Sequence, residues 1–336
     1  MNEGFQKLVQ SISEIGEGFH REKILSNVRN NIGQIEKSLK ELPAPAGAKL
    51  KSGIILSAGP SLKETNAIQR ILDSGYDGSI ISVDGAYVAC LEKGLIPDYV
   101  LCLDPHATRI VRWFGDPDIE ENSRGDDYFE RQDLNIDFRL DKLGKNQSSI
   151  DLVNENAPRT TAIIATTVHS TVTNRLKQAG FDIYWWHPLV DDPLREHSIT
   201  KQMYDMRKLP CFNTGGTVGT AAWVFANSIL GIENIGVTGM DYGYRSDTPI
   251  EETQTYYELM LHKDSREISD YFINFTFPLN GKECYTDPTY YWYRENFLQL
   301  LNRQNNDIFN CSEAGTLFGD HVTCISLQDF LKKFGG

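Results

Sequence analysis

Gly53–Ile54–Ile55–Leu56–Ser57–Ala58–Gly59–Pro60–Ser61–Leu62 is an apolar run that ends in a small-residue turn and passes into a helical pattern over Lys63–Leu72. A continuous apolar run of that length reads as a strand buried on both faces. Gly59 permits a sharp bend and a close approach of the backbone to a ligand, and Pro60 presets φ for entry into a helix. Ser61 followed three residues later by Glu64 has the spacing of a capping box. The N–H groups at such a helix start suit a phosphate, although an ordinary strand–turn–helix corner gives the same pattern. The three spaced glycines of the dinucleotide fingerprint and the Gly-Lys pair of the P-loop are both absent.

Outward from this turn the pattern repeats. Ser79–Val83 reads as a second strand ending in Asp84–Gly85–Ala86, and Tyr99–Leu103 as a third ending in Asp104–Pro105–His106. Helical stretches separate the three, so they form βαβ units and a parallel sheet. Ligands of such sheets lie beyond the carboxyl ends of the strands, which places Ser57–Ser61, Asp84 and Asp104 on one rim. Thr161–Thr166, Asp182–Trp186, Asn234–Gly239, Asp307–Cys311 and Val322–Ile325 continue the strand series. Asn213–Thr214–Gly215–Gly216–Thr217 opens the apolar helix Val218–Leu230 and makes a second small-residue bend at a helix start; close helix–sheet packing favours glycine there too. Residues 245–290 are aromatic and polar with little period and are placed to cover a site; Thr289–Arg303 and Leu327–Phe334 read as helices.

At the other end, residues 1–48 read as a helical arm and linker. Leu25, Val28, Ile32, Ile35 and Leu39 make one apolar stripe, which fits a helix packed on the main domain or, less readily, a docking arm. Residues 49–336 then form the catalytic domain. Within it, Gly115–Leu143 is acidic and weakly periodic, so an insertion or lid is expected at about 115–160. The 336 residues carry a net charge of −13, which argues against a general binder of nucleic acid or anionic membrane. The six cysteines are scattered without a C-x-x-C, so no metal site is assigned and free thiols in a reducing cytoplasm are the expectation. No signal-peptide pattern opens the sequence, and the uncharged run Leu209–Ile232 is interrupted by its own Gly-Gly turn, so no membrane span is expected.

The order of the motifs is itself informative: Ser57-Ala-Gly-Pro-Ser-Leu, Ser82-Val-Asp-Gly-Ala, Gly94-Leu-Ile-Pro-Asp-Tyr-Val-Leu-Cys-Leu-Asp-Pro, Thr214-Gly-Gly-Thr-Val, Gly239-Met-Asp-Tyr and Asn310-Cys-Ser-Glu-Ala-Gly-Thr. Over about residues 25–330 this resembles the family that joins the 6-hydroxymethylpterin diphosphokinase (MptE-like) domain to the motility-associated-factor (Maf) flagellin glycosyltransferases. The Gly-Pro-Ser-Leu-Lys, Thr-Gly-Gly and Gly-Met-Asp-Tyr segments are also similar to bacterial CMP-sialic-acid-dependent sialyltransferases. The resemblance implies a Rossmann-like α/β fold, a mostly parallel sheet flanked by helices. It also implies a CMP pocket formed by Ser57, Gly59, Pro60, Ser61, Asp84, Thr214, Gly215, Gly216 and Thr217, with Asp104 near the sugar. The His that precedes a Thr-Asp pair in those sialyltransferases has no counterpart before Thr286–Asp287.

Two chemistries and one non-catalytic role follow. The first is transfer of a nonulosonic acid from a CMP-activated donor to a hydroxyl of a protein or glycan. It requires no cofactor: aimed N–H groups and Tyr hydroxyls stabilise the departing phosphate, and Asp241, His106 or His262 takes the acceptor's proton. The second is pyrophosphate transfer from Mg-ATP to a pterin, with Asp84 and Asp104 near the ion. The third is a nucleotide-sugar-binding protein without a base. A homo-oligomer is compatible with all three.

Overall fold

A computed structural model describes residues 3–122, 124, 136–256, 259–260, 267–304 and 306–335. The apolar runs become strands because each is buried on both faces. The strands are β1 (Ser52–Leu56), β2 (Ser79–Val83), β3 (Tyr99–Cys102), β4 (Thr161–Ala165), β5 (Asp182–Leu189), β6 (Cys211–Asn213), β7 (Asn234–Thr238), β8 (Tyr244–Arg245), β9 (Ile273–Thr276), β10 (Glu283–Thr286), β11 (Ile308–Asn310) and β12 (Val322–Cys324). Nine of them form one sheet in the order β12-β11-β7-β1-β2-β3-β4-β5-β6, and every pairing in it is parallel. With helices packed on its faces, this is a Rossmann-like α/β fold.

All five residues of β1 are buried, as are all five of β2, which is why neither alternates polar with apolar. Leu56 stands level with Ser82 on one side and Thr238 on the other. From β1 the chain steps outward through β2 to β6, then returns to β7 on the opposite side of β1. The order therefore reverses between β1 and β7, and that is where such a sheet leaves a crevice.

Three features add to the sequence reading. The segment expected as an insertion or lid contributes the helix Ile136–Asn156, which packs against the helix Asp84–Glu92 and forms the crossover from β3 to β4; residues 125–135 lie outside the described residues. The stretch 245–290, read as an aperiodic cover, supplies most of a second sheet of three antiparallel strands in the order β8-β10-β9, between Tyr244 and Thr286. The short β6 was not anticipated: β5 pairs with β4 through Asp182–Trp186 and with β6 through His187–Leu189, so one strand serves two neighbours with different halves.

The first helix, α1 (Glu3–Ile32), is about 45 Å long at the helical rise. It packs near its start on the helix Pro288–Gln304, where Phe5 meets Tyr291 edge-on at 5.3 Å. Near its end Ile24, Leu25 and Val28 bury against Ile199 and Met203. Asn27 donates to the carbonyls of Pro105 and Thr167, in the loops after β3 and β4. Asn31, fully buried, donates to Thr166 O at 3.0 Å and Val168 O at 2.7 Å. The helix thus reaches the carboxyl ends of β3 and β4. No helix of the described residues is long and apolar enough to cross a membrane, and all six cysteines are free thiols.

Asn31 satisfies two buried carbonyls that no solvent reaches, so Asn31→Ala is expected to cost about 2–3 kcal/mol. The shift of the urea midpoint measures it; a change below about 0.5 kcal/mol would show that water replaces the amide.

Candidate functional site

The crevice is built where the ends of β1 and β7 cross. Ser57 N donates to Thr238 O at 2.9 Å and Gly59 N to Gly239 O at 2.8 Å. The crossing requires glycine on both sides. A Cβ on Gly59 would stand 2.4 Å from Gly239 O, and one on Gly239, whose φ is +74°, would stand 2.0 Å from Ser57 O. Beyond the crossing, Asp241 Oδ2 accepts from Ser61 N at 2.9 Å and Asp241 Oδ1 from Ser61 Oγ at 2.5 Å.

This changes the role read for Ser61. It does not cap its own helix: the helix Ser61–Glu64 begins after Pro60 without a side-chain cap. The chain then breaks at Asn66, which has φ +51°, before the helix Ala67–Ser74. The amide expected to face an anionic ligand already faces an internal carboxylate. Burial raises the Asp241 pKa to about 6, against the lowering effect of its two bonds from Ser61 and with nearby Glu64 raising it further.

The second bend lies against the first. A Cβ on Gly219, in the first turn of the helix Val218–Val224, would stand 3.2 Å from Ser57 Oγ and 3.1 Å from Met240 Cε. Thr217 caps that helix, its hydroxyl accepting from Thr220 N at 3.1 Å, and Tyr242 OH joins the Thr220 hydroxyl at 2.8 Å. Here too the loop amides have local partners. Gly215 N donates to Asn213 Oδ1 at 2.8 Å and Gly216 N to Thr214 Oγ1 at 3.3 Å, as short polar side chains do two residues before an amide. The space above Gly216 is filled: a Cβ there would stand 2.6 Å from Trp292 and 2.8 Å from Tyr293. The expectation of two bends at one rim therefore holds, whereas the expectation that Ser61, Gly215 and Gly216 present unused N–H groups does not. Four buried hydroxyls, Ser57, Ser82, Thr238 and Ser312, have no hydrogen-bond partner among the described residues, and all stand within two residues of the ends of the adjacent strands β1, β2, β7 and β11.

A cavity of about 340 Å³ opens beside Asp241. Pro60, Ser61 and Asp241 contribute from the large sheet, and Tyr244, Arg245 and Lys282 from the small one. The Tyr244 hydroxyl turns away to donate to Asp287 Oδ2 at 2.7 Å. Asp287 also accepts from Thr255 Oγ1 at 2.7 Å and Tyr290 N at 2.8 Å. Asp287 thus starts the aromatic helix Pro288–Gln304 and ties it to the small sheet. Asp-Pro before a helical stretch is a readable start signal; the Tyr244 connection, 43 positions away, is not.

The remaining sequence candidates lie elsewhere on the rim. Asp84 Oδ1 accepts from Gly85 N at 2.7 Å at the end of β2. Asp104 Oδ1 accepts from His106 N at 2.8 Å after β3, and His106 Nδ1 lies 3.3 Å from Thr108 Oγ1. Among the candidates, only Pro60, Ser61 and Asp241 line the cavity. His262 lies outside the described residues.

Comparison with known proteins agrees with the resemblance to the MptE-like and Maf proteins. Residues 23–114, which hold β1, β2 and β3, match the family model described as 6-hydroxymethylpterin diphosphokinase MptE-like. The fold is similar to the structure of a Maf glycosyltransferase from Magnetospirillum magneticum AMB-1, with a TM-score of 0.58 and 16% identity over 94% of this chain. The chain spans 40% of the length of that protein. No curated protein matches it. The similarity to sialyltransferases is not reproduced in these matches.

Two predictions follow from the geometry. A carboxyl whose pKa is higher folded than unfolded favours the native state when protonated, so stability falls as pH rises from the unfolded value of about 4 through the folded value. Wild type should therefore lose about 2–3 kcal/mol, relative to Asp241→Asn, between pH 4 and pH 7; urea unfolding at several pH values measures this, and parallel pH profiles would contradict it. Gly216→Val should destabilise by about 2 kcal/mol or more, because it combines a disfavoured φ with a collision against Trp292 and Tyr293. A drop in melting temperature without ligand checks this; loss of ligand binding at unchanged stability would place the effect in a ligand path instead.

Proposed function

We propose that this chain is a glycosyltransferase module that passes a sugar from a nucleotide-activated donor, of the CMP–nonulosonic acid class, to a hydroxyl of a protein or glycan. The observation that carries the proposal is the meeting of the β1 and β6 bends at the switch point of a parallel sheet, supported by the fold shared with a Maf glycosyltransferase. In this reading the donor's phosphate lies against the hydroxyls of Ser57, Thr217 and Tyr242. Asn213 Oδ1 and Thr214 Oγ1 now occupy the Gly215 and Gly216 amides, and a phosphate oxygen takes these in their place. Breaking the bond from sugar to CMP leaves extra negative charge on the phosphate, and hydroxyl and amide donors fixed in advance stabilise it.

The acceptor's proton goes to Asp241. A carboxylate with a pKa near 6 is ionised at neutral pH yet more basic than an exposed one. Its two hydrogen bonds from Ser61 leave lone pairs for an acceptor hydroxyl.

The description of the matching family model favours a second reading, pyrophosphate transfer from Mg-ATP. Asp84 and Asp104, at the ends of neighbouring strands, would then hold Mg²⁺, which commonly takes only one or two carboxylates beside phosphates and water.

Thermal shift separates the two. Stabilisation by CMP in EDTA is expected, with weaker or no response to Mg-ATP and pterin. With ligand at about a hundred times its Kd, a gain of about 2.7 kcal/mol is expected. A response confined to Mg-ATP would replace the first reading with the second.

A further inference from the structure

We infer that the cavity beside Asp241 takes the acceptor, as an uncharged, hydroxyl-rich glycan, and not the nucleotide. This rests on the glycosyl-transfer reading and assigns that site's second substrate.

The charge of the lining carries the inference. Glu64, Asp241, Asp247 and Glu283 face two cations, Arg245 and Lys282. Arg245 is already committed: its guanidinium bridges Glu64 Oε1 and Asp247 Oδ1, each at 2.9 Å. Lys282 is exposed and forms no ion pair among the described residues. With Asp241 ionised, the lining holds two more carboxylates than cations. A nucleotide's phosphate entering here would meet an excess of like charge with a single exposed ammonium to offset it, and like charges at short range repel strongly where water is partly excluded.

The opposite side of the same crossing is different in kind. There Thr217 from the β6 loop and Thr220 from the helix it opens bring their hydroxyls to the Tyr242 hydroxyl from the β7 loop, and Gly219 of the same helix lies against Ser57, whose hydroxyl has no partner among the described residues. The rim thus divides at Asp241 into a hydroxyl side and an acidic side.

Neutral hydroxyl groups suit the acidic side well, because carboxylates accept from them without a charge to oppose. Tyr244 adds a fitting surface. Its OH is directed to Asp287, while the residue lines the cavity with its ring held by tilted contacts to Tyr285 and Tyr290, each at 5.3 Å. A fixed aromatic ring is a platform for the C–H face of a pyranose. Asp241 belongs to both sides and sits where an acceptor hydroxyl from the cavity meets a donor held by the loops.

The test fills the cavity from its exposed edge. Ser246 lines it and is exposed, so Ser246→Trp adds bulk without entering the core. Lys282→Glu serves as a second variant that adds charge without bulk. The probes are CMP, by calorimetry, and lactose as a neutral glycan, by saturation-transfer NMR. CMP affinity is expected to stay within about twofold in both variants, while the lactose signal seen with wild type disappears in Ser246→Trp. Absence of lactose contact with wild type, its persistence in Ser246→Trp, or a loss of about tenfold in CMP affinity in either folded variant would overturn the inference. Failure of CMP to bind wild type would instead remove the nucleotide-donor reading, and the lactose result would still decide what the cavity accepts.

Discussion

One buried carboxylate ties the turn after β1 to the loop after β7. Asp241 comes from the loop after β7, and Ser61 from the turn after β1, 180 positions earlier. Their paired hydrogen bonds close the gap at which the strand order reverses. Removing a carboxylate from water is costly unless donors surround it, and Ser61 supplies two from a single residue, one of them a backbone amide at a helix start. Burial still wins in part, since the Asp241 pKa is raised and not lowered. The junction is thus held together while the proton affinity of its carboxylate is left high, a combination that suits proton transfer better than a fully satisfied ion pair would.

The crossing of backbones sets the geometry around that carboxylate. Gly59 and Gly239 approach so closely that neither tolerates a side chain, and Gly219 lies in contact with both Ser57 and Met240 beside them. Three loops from strands that are far apart in sequence therefore share one small volume. The aromatic helix Pro288–Gln304 closes it from above by packing Trp292 and Tyr293 on Gly216, and Asp287 anchors that helix to the small sheet.

Much of this was legible before any coordinates. β1, β2, β3, β4 and β7 follow from uninterrupted apolar runs, because a strand buried on both faces leaves a signature that needs no long-range information. The glycine bends were legible for the same reason. What escaped was non-local. Ser61 reads as a helix cap because Glu64 follows it at the right spacing, and nothing nearby in sequence reveals that Asp241 takes its hydrogen bonds. β6 is only three residues long and contains no period. The small sheet is half exposed, with short strands whose alternation is masked by aromatic residues on both faces. Within the stretch of about 115–160 expected as an insertion or lid, the described side chains of residues 143–156 include one buried residue, Val153, so that part of the helix displays little amphipathic pattern.

The same distinction explains why small residues at a strand end do not by themselves identify a phosphate cradle. Small residues at a strand end report that backbones come close, and they do so whether the partner is a ligand or another part of the chain. At Gly59 the partner is the β7 loop, and at Gly216 it is an aromatic helix. What distinguishes the two cases is the set of acceptors near the amides. An internal carboxylate cannot leave its helix start without opening the β1–β7 junction, whereas rotation of the Asn213 and Thr214 side chains about single bonds would free their amides without moving the backbone. The amides of Gly215 and Gly216 are therefore recoverable for an incoming anion and that of Ser61 is not. In the proposed reading, anion binding on this rim therefore belongs to the β6 loop, and the β1 turn serves it indirectly, by fixing the wall against which that loop rests.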